Sequence, residues 1–230
     1  MSLSLFRKTT PQNASQPEPS GNGFHTVSRH STGLQEFSKH IHSEPGLRIL
    51  DLGPTSPTNI QYLTRLGHNL HNEDVLIAAS EPGLVIRKED AITLDVQRFF
   101  KENLNFKGEK FDAVLFWDIG DFLPEPLVKP LVERLQSAMR DGGLLLGFFH
   151  TQEAGAQAPY HRYHIKGKEM LELQPVPRFR LQRVFNNRHI ENLFTGFHAL
   201  KFFLARDAIR EVQLQARNGD RTVMQIQPRS

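Results

Sequence analysis

Four acidic residues follow hydrophobic segments at nearly constant intervals, and this spacing constrains the fold more than any other feature of the sequence. The acids are Asp51, Asp74, Asp95 and Asp118, separated by 23, 21 and 23 residues. Each gap is about the length of one strand and one helix with their turns. Because the carboxyl ends of parallel strands meet at one edge of a sheet, the spacing predicts an α/β fold with all four carboxylates on one rim.

The segments around these acids alternate between strand and helix patterns. The predicted strands are LRIL (47–50), HNLHNED (68–74), AITLDV (91–96), FDAVLFWD (111–118) and LLLGFF (144–149). Apolar residues at helical spacing predict helices at 31–43, after Ser56-Pro57, and around 131–139. Apolar strands separated by helices indicate a parallel sheet that helices cover on both faces.

The last third of the chain has a different pattern. Residues 151–169 are predicted to be a long loop, 178–185 a strand, and 186–197 a helix with Asn186 near its cap. Residues 198–206 and 209–217 are predicted to form an antiparallel hairpin with a two-residue turn. The predicted domain covers 31–217, with a disordered arm at 1–30 and a flexible tail at 218–230.

Composition excludes several classes of function. The chain of 230 residues has no cysteine, which excludes disulfides, thiolate metal sites and a cysteine nucleophile, and predicts a cytoplasmic location. A run of about 18 apolar residues is absent from the sequence, so no membrane span is predicted. Residues 151–230 carry 13 Lys and Arg against 7 Asp and Glu. These are not clustered as in a nucleic-acid patch, so nucleic-acid binding is not predicted. The sequence does not indicate an oligomeric state.

Three segments together give the sequence a family resemblance: LRILDLG, FDAVLFWDIGDFLP and RDGGLLLGFF, followed by the closing helix and hairpin. Over residues 31–217 the chain resembles class I S-adenosylmethionine (SAM)-dependent methyltransferases. The resemblance implies a doubly wound, mostly parallel seven-stranded sheet with one antiparallel strand, a Rossmann-like fold. It also implies SAM as the cofactor and methyl transfer to a small-molecule acceptor, which it does not identify.

The resemblance also assigns cofactor-binding roles, all at the carboxyl ends of predicted strands. The residues are Asp51, Gly53 and Pro54 in the loop around the methionine end of SAM, Glu73 or Asp74 at the ribose, Asp95 and the Val96 backbone at adenine, and Asp118, with Trp117, lining the pocket. The loop glycine has a physical reason in this assignment, because a backbone without a side chain lets a ligand approach closely.

The loop after the first strand departs from the family pattern, acid-x-Gly-x-Gly-x-Gly. Thr55 and Pro57 stand where the second and third glycines would be. Pro57 suits the first position of a helix, whereas a β-branched threonine resists positive φ and adds bulk beside a ligand. Two functions therefore remain open, an active methyltransferase and a non-catalytic binding or scaffold protein of the same fold. A nicotinamide-dependent dehydrogenase is disfavoured, because its loop would need glycines at positions 55 and 58, which are both threonine.

No residue is predicted to be catalytic, because positioning alone can supply much of the rate of a methyl transfer. Asp118 and Asp121 could act as paired carboxylates, but a helix cap is the preferred interpretation of Asp121. His161 and His164 have a spacing compatible with a metal, but no recognisable third ligand, so no metal site is predicted. Residues 160–163 could form a lid over the acceptor pocket.

Overall fold

The computed structural model describes residues 26–88, 91–155, 157–203 and 207–217. Helices in these residues are α1 (Thr32–Ile41), α2 (Pro57–Arg65), α3 (Val75–Ala79), α4 (Val96–Glu102), α5 (Ile119–Phe122), α6 (Glu125–Ala138) and α7 (Asn187–Leu193). Strands are β1 (Val27–His30), β2 (Arg48–Asp51), β3 (Asn69–Asn72), β4 (Val85–Lys88), β5 (Ala91–Leu94), β6 (Phe111–Trp117), β7 (Met139–His150), β8 (Tyr160–Ile165), β9 (Met170–Val176), β10 (Ala199–Phe203) and β11 (Ile209–Gln215). In the part of the chain described, no helix is long and apolar enough to cross a membrane.

The central sheet has the strand order β10-β11-β7-β6-β2-β3. Strands β7, β6, β2 and β3 pair in parallel, whereas β11 is antiparallel to both of its neighbours. The predicted fold class is therefore confirmed: a doubly wound, mostly parallel, Rossmann-like sheet in which the closing hairpin supplies one reversed strand. The chain leaves β2 towards β3 and later returns to the other side of β2 as β6, so the topological switch point lies between β2 and β6.

The central sheet has six strands in the described residues, where seven were predicted. The segment predicted as the third parallel strand forms β5, which pairs antiparallel with β4 in a separate two-stranded sheet. Strand β3 is short and polar, and Leu70 is its only large apolar residue. This edge therefore offers little apolar surface against which a further strand could pack.

Three other segments of the prediction differ from the structure. The predicted loop at 151–169 contains β8, which pairs with β9 and β1 in an antiparallel three-stranded sheet. Strand β1 lies within the segment that had been assigned to a disordered arm, and residues 1–25 and 218–230 lie outside the described residues. The predicted strand at 178–185 is irregular backbone, in which the amides of Gln182 and Arg183 donate to the Asp121 carbonyl.

The central sheet buries an apolar layer on each face, because side chains alternate along its strands. On β6, Val114 and Phe116 face the layer that includes α6 and α7. Leu115 and Trp117 face the other layer, where α1 packs together with side chains of β8 and β9. The three-stranded sheet therefore closes one face of the domain beside the carboxyl ends of β2 and β6.

A buried ion pair attaches β1 to the central sheet. Arg29 Nη1 lies 2.5 Å from Glu211 Oε1, and both side chains are almost fully buried. Glu211 also accepts hydrogen bonds from the Ser31 hydroxyl at 2.9 Å and from the Gly33 amide. One carboxylate on β11 thus holds both β1 and the first turn of α1.

Candidate functional site

Asp51 lies at the end of β2 and is buried, with three hydrogen-bond donors around its carboxylate. Its Oδ1 accepts from the Gly53 amide at 3.1 Å and from Trp117 Nε1 at 2.6 Å. Its Oδ2 accepts from Asn59 Nδ2 at 3.2 Å. Burial raises the pKa of Asp51, and these donors partly offset that rise. Asp51 is therefore at the switch point, as predicted, but protein groups already donate hydrogen bonds to both of its carboxylate oxygens.

Trp117 fills the space beside the loop glycine. It ends β6 with a positive φ of 51°, which is uncommon for a residue with a side chain. A Cβ added to Gly53 would lie 2.6 Å from Trp117 Cδ1. The indole also stacks on the Tyr163 ring, with centroids 4.9 Å apart and planes within 1° of parallel. Gly53 was predicted to make room for a ligand, but in the structure the space beside it is filled by Trp117.

The side-chain amide of Asn72, on β3, holds the rest of the loop. The Thr55 hydroxyl donates to Asn72 Oδ1 at 2.6 Å, and Asn72 Nδ2 donates to the carbonyls of Asp51 and Gly53, each at 3.0 Å. Thr55 is exposed and has an ordinary negative φ, so its side chain does not block the site. Pro54 is buried, and Pro57 is the first residue of α2, as predicted.

Of the two acids predicted to bind ribose, Asp74 has the freer carboxylate. Both oxygens of Glu73 already accept hydrogen bonds, from His71 Nε2 at 2.9 Å and from the Leu104 amide at 2.8 Å. Asp74 caps α3 through one oxygen, which accepts from the Ile77 amide at 3.1 Å. The side chain of Asp74 is half-buried, and burial raises its pKa.

The third spaced acid is used locally. Asp95 caps α4 by accepting from the Arg98 amide at 2.9 Å. Val96 is the first residue of that helix and lines a cavity of about 550 Å³ with residues of α6, such as Arg134. Because β5 is not part of the central sheet, the sheet itself does not bring Asp95 to the ends of β2 and β6. Asp51 and Asp118 do lie at the ends of these two neighbouring strands, and the charges of Asp51, Asp74 and Asp118 contribute to raising the pKa of Tyr160, which burial raises most.

Asp118 lies in a buried polar cluster directly after Trp117. Neither carboxylate oxygen meets hydrogen-bond geometry with any partner among the described residues, although both are fully buried. Burial raises the pKa of Asp118 to about 8, and the charge of His150 opposes this rise. The Tyr163 hydroxyl is near enough to lower the pKa of Asp118, without meeting the geometry of a hydrogen bond.

Asp121 and His150 form a buried pair in this cluster. Oδ2 of Asp121 accepts from the His150 amide at 2.6 Å and lies 2.9 Å from His150 Nδ1. Burial lowers the pKa of His150, but the hydrogen bond to Asp121 and the charge of Asp118 outweigh it, so that the pKa is raised. The preferred interpretation of Asp121 as a helix cap is therefore wrong. His150 was missed, although it ends an apolar strand in the same way as the acids do.

The segment 160–163, considered as a lid, covers this cluster from β8. Tyr160 and Tyr163 are buried, and the hydroxyl of Tyr160 has no hydrogen-bond partner in the described residues. His161 Nδ1 lies 4.0 Å from Asp118 Oδ2, and burial lowers the pKa of His161 to about 4. His164 points elsewhere, with Nδ1 2.8 Å from the Ser56 hydroxyl.

No family model matches the sequence. The structure is similar to a 1,6-didemethyltoxoflavin-N1-methyltransferase from Burkholderia thailandensis (12% identity, TM-score 0.45, 82% of this chain and 80% of that chain). It is also similar to a SAM-dependent methyltransferase from Methanosarcina mazei (14%, 0.48, 78% and 97%) and to the N-methyltransferase NodS from Bradyrhizobium japonicum (12%, 0.44, 81% and 94%). At these identities and TM-scores, the fold assignment rests on the strand order of the chain itself.

Proposed function

We propose that the chain is a SAM-dependent methyltransferase that acts on a small polar acceptor at the carboxyl edge of the central sheet. The observation that supports this most is the position of Asp51 and Asp118 at the carboxyl ends of the neighbouring strands β2 and β6, beside the Gly53 turn and at the topological switch point. Ligands of open α/β sheets bind in the crevice at this point. The resemblance of the sequence to class I methyltransferases supplies SAM as the ligand.

The residues fit the nucleoside end of SAM better than its methionine end. Asp74 would accept from the ribose hydroxyls. Arg178, whose charge lowers the pKa of Asp74, lines a cavity of about 300 Å³ through which the nucleoside would enter. The methionine end would meet Trp117, because that ring lies against Gly53. SAM binding therefore requires Tyr163, and with it β8, to move away so that Trp117 can shift.

When bound, SAM supplies an electrophilic methyl group on a sulfonium. The chain's own contribution would be to orient the acceptor and exclude water, which can account for much of the rate. The buried oxygens of Asp118 and the hydroxyl of Tyr160 lack partners among the described residues, so they suit a polar acceptor of small size. The acceptor itself and the cytoplasmic location stay predictions, and no residue is assigned as a catalytic base.

The chain has a built-in reporter for this proposal, because Trp117 is its only tryptophan. Titration with SAM, and with its demethylated product, should change the emission of Trp117 and give a matching heat in calorimetry. Asp74→Asn should weaken binding at least tenfold, because a lost hydrogen bond to a charged group costs about 1.5–3 kcal/mol. The matched control is Asp95→Asn, which affects only the cap of α4 and should change the affinity less than twofold.

A second function is favoured by one specific observation, namely that Trp117 and Tyr163 occupy the space beside Gly53. In this alternative the chain is a non-catalytic protein with the methyltransferase fold. Tyr163→Ala separates the two functions, because removal of the stacked ring opens the site. If neither the folded parent nor the folded variant bound SAM at millimolar concentration, the methyltransferase proposal would be abandoned in favour of this alternative.

A further inference from the structure

Three side chains with metal-binding atoms meet beneath β8, each from a different element. Asp118 follows β6, His150 ends β7, and His161 is the second residue of β8. One ligand atom from each lies within 4.8 Å of the other two. The side chains of Asp118, His150 and His161 are 0%, 2% and 13% exposed, so the arrangement is fixed by the core and not by surface rotamers.

The buried atoms of this trio lack the partners that buried polar atoms normally have. Both carboxylate oxygens of Asp118 and Nδ1 of His161 are without a hydrogen-bond partner in the described ranges. An unpaired buried polar group costs roughly 1–3 kcal/mol, and a charged one costs more. Three such atoms at one point need an explanation. A cation bound by Asp118 and His161 would satisfy these atoms together.

Asp121 orients one of the three ligands. Its Oδ2 lies 2.9 Å from Nδ1 of His150. Because a carboxylate only accepts, the proton lies on Nδ1, and the lone pair of Nε2 is available to a metal. A carboxylate behind a metal-binding histidine is the usual outer contact of such sites. The Asp121–His150 pair therefore has the form of a supported metal ligand.

We propose that Asp118, His150 and His161 bind one divalent first-row transition-metal ion, with Asp121 as the outer contact of His150. Two imidazoles and one carboxylate suit ions such as Zn²⁺ or Fe²⁺ and leave coordination positions for water or a substrate. Mg²⁺ prefers oxygen ligands in an octahedral arrangement and does not match this set. The proposed metal site does not rest on the proposed binding of SAM.

The geometry needs only a small closure to reach coordination. Ligand atoms on a tetrahedral Zn²⁺ lie about 3.4 Å apart, given metal–ligand distances of 2.0–2.2 Å. The separations, which are within 4.8 Å, would shorten by at most about 1.4 Å on this basis. Rotation of His161 on β8 can supply most of this movement, since this ligand is the most exposed of the three. The ion would then join β8 to the central sheet.

The test is metal binding by the full, tag-free chain after removal of metals with a chelator. Calorimetry with Zn²⁺ should give one site per chain, Co²⁺ should give visible absorption bands of a bound ion, and Mg²⁺ should give no heat. His161→Gln and Asp118→Asn should each weaken Zn²⁺ binding at least 100-fold. Asp121→Asn should weaken it about 10- to 100-fold, the range for outer contacts of this kind.

His164→Gln is the matched control, because His164 lies on the same strand but contacts Ser56 and Gln174. It should bind Zn²⁺ like the parent. Folding of each variant is checked by its unfolding midpoint and by the emission of Trp117. The proposal is overturned if the parent shows no Zn²⁺ binding at 1:1 stoichiometry. It is equally overturned if folded His161→Gln and Asp118→Asn bind Zn²⁺ as tightly as His164→Gln does.

Discussion

Substitution of the loop glycine tests whether Gly53 serves the protein core or a ligand. In Gly53→Ala, the added methyl would lie 2.6 Å from Cδ1 and 3.0 Å from Nε1 of Trp117. Real Cβ atoms do not approach other atoms to 2.6 Å, so the indole must move. The indole is stacked on Tyr163 and donates to Asp51 at 2.6 Å, so movement disturbs both contacts.

The expected loss in the free energy of unfolding follows from these contacts. Overpacking of a filled core costs about 1–3 kcal/mol, and loss of a hydrogen bond to a buried carboxylate costs about 1.5–3 kcal/mol. The lower entropy of alanine in the unfolded chain returns about 0.4–1 kcal/mol. We therefore expect Gly53→Ala to reduce the free energy of unfolding by about 2–4 kcal/mol in protein without ligand.

Urea unfolding followed by circular dichroism and by the emission of Trp117 measures this change. Gly167→Ala is the control, because a Cβ there meets no atom within 4 Å, and it should shift stability by less than about 0.5 kcal/mol. If Gly53 served only a ligand, its replacement would leave the ligand-free protein unchanged. A loss below about 0.5 kcal/mol in Gly53→Ala would therefore refute the packing argument.

Three further substitutions test contacts around the site. Glu211→Gln should reduce the free energy of unfolding by about 3 kcal/mol, because it leaves the buried Arg29 paired only with Asp207, whose side chain is 45% exposed. Asn59→Ala should cost about 2–4 kcal/mol and make Trp117 more accessible to acrylamide quenching, because Asn59 joins α2 to the backbone of β8. In metal-free protein above about pH 8, where Asp118 is ionised, Asp118→Asn should be at least as stable as the parent, because it removes a buried charge without a hydrogen-bond partner among the described residues.

Each of these substitutions has a variant for comparison. Lys39→Ala removes an exposed ion pair with Glu36 and should cost under about 1 kcal/mol. Gln61→Ala changes an exposed position of α2 and should leave the quenching of tryptophan unchanged. Asp121→Asn should be destabilising where Asp118→Asn is not, because Asp121 accepts from His150. The reverse order for the two aspartates would contradict the description of the cluster.

The fold was predictable wherever the apolar pattern was strong. The run FDAVLFW forms β6, in which every residue except Asp112 is buried, and the Ser56-Pro57 pair begins α2 with the expected cap. The pattern failed for β8, because YHRYHI does not alternate regularly between apolar and polar residues and contains only one aliphatic residue. The pattern predicted that β5 is a strand but not its partner. The partner of a strand depends on the neighbouring apolar surface, and β3 offers almost no such surface.

The site was only partly predictable. Asp51 and Asp118 were placed at the correct edge, because both directly follow strands of the central sheet. Asp95 was misplaced together with its strand. Glu73 accepts a hydrogen bond from the Leu104 amide, which is 31 residues away in the sequence. The close approach of Trp117 to Gly53 and the pairing of Asp121 with His150 depend on long-range packing. No local pattern encodes them, although a histidine that ends a buried strand is a signal worth considering.

Strand β8 connects the two proposals physically. Residues two apart on a strand point to the same side, so His161 faces Asp118 while Tyr163 stacks on Trp117. A metal that holds His161 would hold Tyr163 over the loop, whereas SAM would need Tyr163 to leave. Linkage requires each ligand to weaken the other by the same factor. Saturating Zn²⁺ should therefore raise the dissociation constant of SAM, by about tenfold for a coupling of 1.4 kcal/mol, and His161→Gln should abolish the effect. If the parent bound both ligands independently, the opening of β8 would not be the step that admits SAM.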